Sequence, residues 1–324
     1  MTFPKKKVLI TVNPQLVEGQ RLQTVRSMVS ALDAKSELLI LPINEYDMAN
    51  KKAMSYKRAA HGKFVKHKRI TPEADLWIVY TDGYWIDTQA LGYEKRIDYL
   101  DDQFKFHDYF VRSKAVTRLV NSTAAEKTTL KNWFAELDCK KLGVIPTYKL
   151  NSKAAAGEVL QRCKKVVAKP NWGGAGINVQ KIEDRTQLDQ FLKKVAELPN
   201  ETIKDYCLQQ FVDGDEKRLW FLGDRCVGGR TVVDRPKPWS DPNERGDGRL
   251  YNSGQQFERD LRKATKLWRM SGLQIGSVDF IGDYINEING CGTLFTYYNR
   301  GWDKVADARP QLIDYLINKL LADV

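Results

Sequence analysis

Two acids and an amide near the C-terminus have the types and spacing to hold a hard cation. Residues 276–289 read GSVDFIGDYINEIN, two apolar-alternating runs around a Gly-Asp turn, which is a hairpin signature. A three-residue loop at 282–284 would pair Ile281 with Ile285 and Asp279 with Glu287. Strand side chains alternate between faces, so Asp279, Glu287 and Asn289 then project to one side. Opposed carboxylates repel unless a cation sits between them. Two carboxylates with one amide oxygen suit Mg²⁺, which keeps its other positions for water and phosphate oxygens. On this reading, neutralising one carboxylate relieves the empty site and cripples the loaded one. The competing explanation is a solvated hairpin face with a capping Asn.

A second chemical signal is residues 169–176, KPNWGGAG. Between two strands, its glycines can turn sharply and aim backbone N–H groups at phosphates, while Lys169 supplies a point charge. The Gly-Lys-Ser/Thr ending of a Walker loop is missing, and a strand rather than a helix follows. Taken alone, such a segment is more often simply a turn.

The elements that must position these residues alternate between strand and helix. Residues 7–12 (KVLITV) read as a buried parallel strand. Residues 20–34 carry Leu22, Val25, Met28, Val29 and Leu32 at helical spacing, and strands follow at 37–41 and 74–80. Residues 1–120 therefore form a βαβ-type lobe. Within it lies a basic insertion, residues 51–69, with eight Lys or Arg and no acid; such a run is more often an exposed hairpin or loop than a binding patch. Further on, the pattern predicts a helix over 126–137, a strand over 144–148, a helix over 153–163 and strands at 166–168 and 177–182. An amphipathic helix follows over 186–198, with Leu188, Phe191, Leu192, Val195 and Leu198 on one face. Strands are expected at 206–212, 218–222 and 226–233. Residues 236–254, rich in Pro, Gly, Asp and Arg, read as a long functional loop, with 235–254 a lid that orders over bound ligands. Helices at 255–270 and 309–321 frame the final hairpin.

Composition narrows the class. At 324 residues, with 42% apolar residues and eight Trp, the chain is globular and suited to two or three interleaved lobes. No apolar run is long enough to span a bilayer and no signal-peptide core follows Met1, so a soluble, cytoplasmic protein without a membrane partner is expected. Five scattered cysteines and three histidines argue against a disulfide scaffold or a structural zinc site. The net charge of +11 favours anionic partners without choosing among nucleotide, metabolite, peptide and nucleic acid.

The order of these signals carries a resemblance. Lys127, the Lys169 loop, GDEKRLWFLGD (residues 214–224) and VDFIGDYINEIN (residues 278–289) occur in the sequence in the order found in ATP-grasp enzymes. The chain resembles the glutathione synthetase and RimK-like branch. That resemblance implies an α/β fold, with a Rossmann-like pre-ATP-grasp domain at 1–120 on the substrate side and an ATP-grasp domain at 121–324. The latter would divide into a small lobe at about 124–212 and a catalytic lobe at about 213–324.

The resemblance further implies an ADP-forming carboxylate–amine ligase that works through an acyl-phosphate. Lys127 and Lys169 would contact phosphate, with Lys131 an alternative register for Lys127. Gly173, Gly174 and Gly176 would form the flap over ATP. Gln209, Gln210, Phe211 and Val212 would be the adenine hinge, with Asp215 on the ribose side. Arg218 and Arg230 would face the γ-phosphate and acyl-phosphate, and Asp279, Glu287 and Asn289 would hold Mg²⁺, or Mn²⁺ in its place. Substrates would be a small-molecule or peptide carboxylate and an amine, and the family suggests a dimer or tetramer. The sequence departs from the family in a shorter flap and in Gly290-Cys291-Gly292-Thr293-Leu294 after the hairpin, so glutathione itself is not implied as the product. Two rival readings are a nucleic-acid or polyanion binder using the basic run, and an ATP-grasp scaffold without turnover.

Overall fold

A computed structural model describes residues 5–12, 32–59, 64–79, 96–172, 176, 178–198, 201–232, 248–290, 311 and 314–321. Among them are three sheets. The first contains Lys7–Val12 (β1), Glu37–Pro42 (β2), Tyr46–Asp47 (β3), Lys52–Arg58 (β4), Phe64–Ile70 (β5), Ala74–Val79 (β6) and Val116–Val120 (β7). Its order is β3-β4-β2-β1-β6-β7, with β5 on β4, and the pairs β1/β2, β1/β6 and β6/β7 are parallel. The near-continuous apolar runs of β1, β2 and β6 follow from burial on both faces. On one face Leu9, Leu39 and Trp77 pack with Phe106 and Phe110 of the helix Arg96–Arg112. On the other, Val8, Ile10, Ile40 and Ile78 share a core with Trp220, Leu222 and Ile275 of the third sheet. Each large apolar side chain buried this way contributes about 1.5–3 kcal/mol.

The second sheet, Thr147–Lys149 (β8), Val166–Pro170 (β9), Gln180–Ile182 (β10) and Tyr206–Gln210 (β11), runs β10-β9-β11-β8. The helices Lys153–Cys163 and Arg185–Ala196 cover it through Leu160, Leu188, Phe191 and Val195. The third comprises Glu216–Leu222 (β12), Arg225–Val232 (β13), Gly248–Leu250 (β14), Ile275–Ile281 (β15) and Tyr284–Asn289 (β16), in the order β14-β13-β12-β15-β16. Leu219, Phe221, Val278 and Phe280 form one face of this sheet and pack on Leu267 and Trp268 of the helix Gln255–Ser271.

Three local expectations change. The helix expected over 126–137 is two short turns, Thr123–Lys127 and Lys131–Phe134. Thr128 and Thr129 turn their hydroxyls back onto the Ala125 and Glu126 carbonyls, at 2.6 and 2.7 Å, and Leu130 is extended. The hydroxyls give the backbone an alternative to helix and so break it. Lys169, placed by the sequence at the start of a loop, lies inside β9 opposite Cys207. Of the C-terminal helix expected at 309–321, Tyr315–Leu321 is seen as a π-helix. Most of the helix expected over 20–34 and most of the lid at 235–254 lie outside the described residues; residues 32–34 are helical.

Candidate active site

The third sheet aligns four charged side chains in one row. Arg218 on β12 lies opposite Arg230 on β13 and Asp279 on β15, and Asp279 lies opposite Glu287 on β16. Residues directly opposite share a face, so the row runs Arg230–Arg218–Asp279–Glu287 across four adjacent strands. Trp220 and Leu222, two and four positions along β12 on this face, enter the core shared with the first sheet. One end of the face is thus sealed while the other carries charge.

Within the row, Arg218 grips Asp279 bidentately. Its Nε donates to Oδ1 at 2.6 Å and its Nη2 donates to Oδ2, and both side chains are buried. Ser277 Oγ donates to Asp279 Oδ1 at 3.3 Å. Arg230 is also buried, with Nη2 3.8 Å from Glu216 Oε1. Asn289 Nδ2 lies 3.2 Å from Asp279 Oδ2 and 3.5 Å from Glu287 Oε1. The two carboxylates therefore converge on one partly positive N–H₂ group, where a cation would also be stabilised.

Residues expected to hold metal are thus brought together, by a different turn than the sequence suggested. The hairpin turns on Gly282 and Asp283 alone, pairing Ile281 with Tyr284 and Phe280 with Ile285. Asp279 still meets Glu287, because the register shifts between Asp279 and Phe280 and leaves Asn286 as the extra residue. A β-bulge of this kind re-aims a side chain, and the re-aimed group is Asn286. Its Oδ1 accepts a hydrogen bond from Lys169 Nζ at 2.7 Å, and its backbone oxygen accepts from Gln209 Nε2 at 3.2 Å. Sequence reasoning missed Asn286, since a bulge has no composition signal here.

Two lysines from outside the third sheet approach β16, Lys169 from β9 and Lys131 from the short helix Lys131–Phe134. Lys169 is buried, and its Nζ also donates to Gln209 Oε1 at 2.5 Å. Burial pulls the Lys169 ammonium below the usual lysine range, partly offset by Glu287. Lys131 Nζ stands 3.7 Å from Glu287 Oε2. Its place depends on the helix break and on the Gly-rich segment, where Asn171 accepts from Lys131 N through its backbone oxygen (3.0 Å) and from Asn132 N through Oδ1 (2.7 Å). Lys127 instead is exposed and lies over the Phe104 ring, 5.3 Å from its centroid.

Burial disfavours charge on Glu287, but Lys131, Lys169 and Arg218 together outweigh it and hold its carboxyl below the usual range. The ligand-free site is therefore not a pair of bare acids. Neutralising Glu287 removes the partner of several cations, which reverses the expectation that it would relieve the site. For Asp279 burial dominates and pushes the carboxyl up, against the Arg218 guanidinium.

In the stretch expected to be the hinge, residues 209–212, the Gln210 and Phe211 N–H groups donate to the Pro146 and Lys165 carbonyls, at 2.8 and 3.0 Å. Asp215 is exposed, and its backbone oxygen accepts from Gly282 N at 2.9 Å. Gly214 approaches Gly282 so closely that a Cβ would sit 2.6 Å from the Gly282 Cα. Gly176 is exposed, with φ +76°. Gly173, Gly174 and the segment after Gly290 lie outside the described residues. No helix among the described residues is long and apolar enough to cross a membrane.

No family model matches the sequence, and no curated protein matches it. Solved structures do. D-alanine–D-alanine ligase from Bacillus anthracis complexed with ATP is similar at 16% identity over 98% of each chain, with a TM-score of 0.64. D-cycloserine synthetase DcsG is similar at 16% identity over 97% of this chain and 99% of that one, with a TM-score of 0.63. The ATP-grasp ligase PsnB, complexed with precursor peptide PsnA2 and AMPPNP, is similar at 15% identity over 99% of each chain, with a TM-score of 0.60. At these identities the likeness is one of fold, and this chain has the ATP-grasp fold.

Proposed function

We propose that the protein is an ATP-dependent carboxylate–amine ligase that releases ADP and phosphate. The observation that carries this is the row Arg230–Arg218–Asp279–Glu287 on one sheet face, met by Lys169 and Lys131 from the neighbouring lobe. Phosphoryl transfer needs little covalent chemistry from a protein. It needs positive charge placed where negative charge develops, and a reactant held in line.

Residues that fit a divalent cation are Asp279, Glu287 and Asn289. Beyond the Arg218 pairing, Asp279 Oδ1 also accepts from Ser277 and Oδ2 from Asn289 Nδ2, so rotation of the Asn289 amide would both free a lone pair on Asp279 Oδ2 and present Asn289 Oδ1 to the point where Nδ2 now lies. Bound there, Mg²⁺ supplies Lewis-acid neutralisation of phosphate oxygens. Lys169 and Lys131 would hold the phosphates; in the ligand-free protein Asn286 and Gln209 keep Lys169 oriented. Arg218 and Arg230 would face the transferred phosphoryl. A substrate carboxylate oxygen bonds to the γ-phosphorus as the bond to the leaving ADP oxygen breaks. The amine then attacks the acyl carbon and phosphate leaves, with the amine proton lost to solvent or a base. Adenine would sit along 209–212, using Val212 N–H and hinge carbonyls, since the Gln210 and Phe211 N–H groups already donate. The similar structures include a ligase complexed with a precursor peptide and a D-alanine–D-alanine ligase, which supports a peptide or a small molecule as substrate.

The test is a panel of carboxylates and amines with Mg²⁺-ATP, read by mass spectrometry. Expected products are ADP, phosphate and an amide. AMP and pyrophosphate would contradict the reading.

A further inference from the structure

The basic run of the first lobe is an ordered hairpin that leaves the parallel sheet. β4 touches β2 through the pair Ile40 and Tyr56 and touches β3 through two pairs. β5 pairs, among the described residues, with β4 alone, so no described strand pairs with the backbone donors and acceptors of its other edge. Val65, Lys66, His67, Lys68 and Arg69 are all exposed.

A bulge arranges the charge on this edge. Tyr56 lies opposite Lys66 and Ser55 opposite Lys68, so His67 is the extra residue, and Ser55 Oγ donates to the Lys68 carbonyl at 2.7 Å. Consecutive residues of β4 face opposite ways. Lys66 therefore lies on the Tyr56 face, with Arg58 and Arg69, and Lys68 on the Ser55 face. Acids anchor part of the set: Glu45 stands 3.1 Å from Lys66 and Asp47 3.2 Å from Arg69. Arg58 and Lys68 make no ion pair among the described residues.

Lysines on an open edge repel a second copy of the same strand. They do not repel an acidic strand. We propose that β5 is a docking edge for an extended acidic polypeptide segment, which adds to the sheet through its backbone while two adjacent acidic side chains, pointing to opposite faces, meet Lys66 on one face and Lys68 on the other. Strand addition obtains affinity from main-chain hydrogen bonds and selectivity from alternating side chains, and opposite charges across a strand pair are favourable. Nucleic acid fits less well, because single strands take aromatic stacking platforms beside the charge, and residues 65–69 expose none apart from the His67 ring. This inference does not depend on the ligase reading.

The test uses the full chain and a fluorescein-labelled short peptide that repeats Glu-Glu-Thr, so that adjacent glutamates point to opposite faces, followed by anisotropy. Three comparisons accompany it: the same peptide methylated at every backbone nitrogen, a short oligothymidylate, and the protein with Arg58→Glu and Lys68→Glu. Expected are saturable binding of the acidic peptide, and losses of about tenfold or more on methylation and on charge reversal, since backbone and charge both contribute. Melting temperature checks that the variant folds. If it does not, Lys68→Gln takes its place, with a loss of about threefold. Failure of the acidic peptide to bind, unchanged binding after methylation, or oligothymidylate binding as tightly as the peptide would each overturn the proposal.

Discussion

Lys131 and Lys127 are four positions apart in the sequence, and only one of them reaches the charged row. Lys131 stands 3.7 Å from Glu287 Oε2, whereas Lys127 is exposed over Phe104. Lys131→Ala should therefore lower kcat/KM for ATP by about tenfold or more, the scale of a lost charge-assisted contact, while Lys127→Ala stays within about twofold. Steady-state kinetics on both variants decides between them, and the opposite ranking would return the role to Lys127. At this scale the sequence was legible where residue type and strand alternation act together. Asp279, Glu287 and Asn289 fall on one face by alternation alone, and the structure brings them together with Arg218. Sequence reasoning leaves Lys131 as an alternative to Lys127 and misses Asn286, because their positions depend on a helix break and a bulge set by neighbouring segments.

At the scale of elements, close strand approach builds the site. A Cβ on Gly276 would lie 2.0 Å from the Asn289 carbonyl oxygen, so β15 and β16 can pair at this end only with glycine there. Gly276→Ala should separate the strands beside Ser277 and Asn289 and destabilise the protein by about 2–4 kcal/mol. Urea denaturation measures the loss, and a loss under about 0.5 kcal/mol, the range of a neutral surface change, would show that the strands adjust freely. The hairpin was readable from its Gly-Asp turn, but the two-residue turn and its compensating bulge were not, because a shorter turn plus a bulge leaves Asp279 and Glu287 paired just as the longer turn would. The helix expected over 126–137 failed for a related reason. Its apolar spacing is helical, but the hydroxyls of Thr128 and Thr129 and the hydrogen bonds that Lys131 N and Asn132 N donate to Asn171 end it locally.

Across the whole molecule, the first sheet and the third share one core, and Asn121 stitches the end of β7 to β15. Its Oδ1 accepts from Gln274 N (2.9 Å) and Ile275 N (3.0 Å), and its Nδ2 donates to the Ile275 carbonyl (2.9 Å) and to Glu126 Oε1 (2.7 Å). The alternating apolar residues of β12 and β15 announced burial without naming what covers them, so this junction could not be read from sequence. Burial pushes the Glu126 carboxyl from 4.5 up to about 7. The folded state thus binds more protons than the unfolded one between those values, and this contribution to stability is full below 4.5 and lost as pH rises through 7. Glu126→Gln keeps the acceptor for Asn121 and removes the titration, so its stability relative to the parent should increase between pH 4 and pH 8, as followed by urea denaturation; a difference independent of pH would contradict this. His107 acts in the other direction, since burial lowers it from 6.5 to about 3, and its contribution is lost as pH falls below 6.5. The central claim, that Asp279, Glu287 and Asn289 hold the metal of bound ATP, is tested most directly by the shift in melting temperature that ATP produces with and without Mg²⁺. The comparison is between the parent, Glu287→Gln and Asp283→Asn, the last in the exposed turn where Gln256 Nε2 donates to Asp283 Oδ1 at 2.8 Å. The account predicts a Mg²⁺-dependent shift in the parent and in Asp283→Asn. In Glu287→Gln it predicts that this shift disappears and that ligand-free stability falls by about 1–3 kcal/mol, the scale of a buried charge losing its partner. A full Mg²⁺-dependent shift in Glu287→Gln would contradict it.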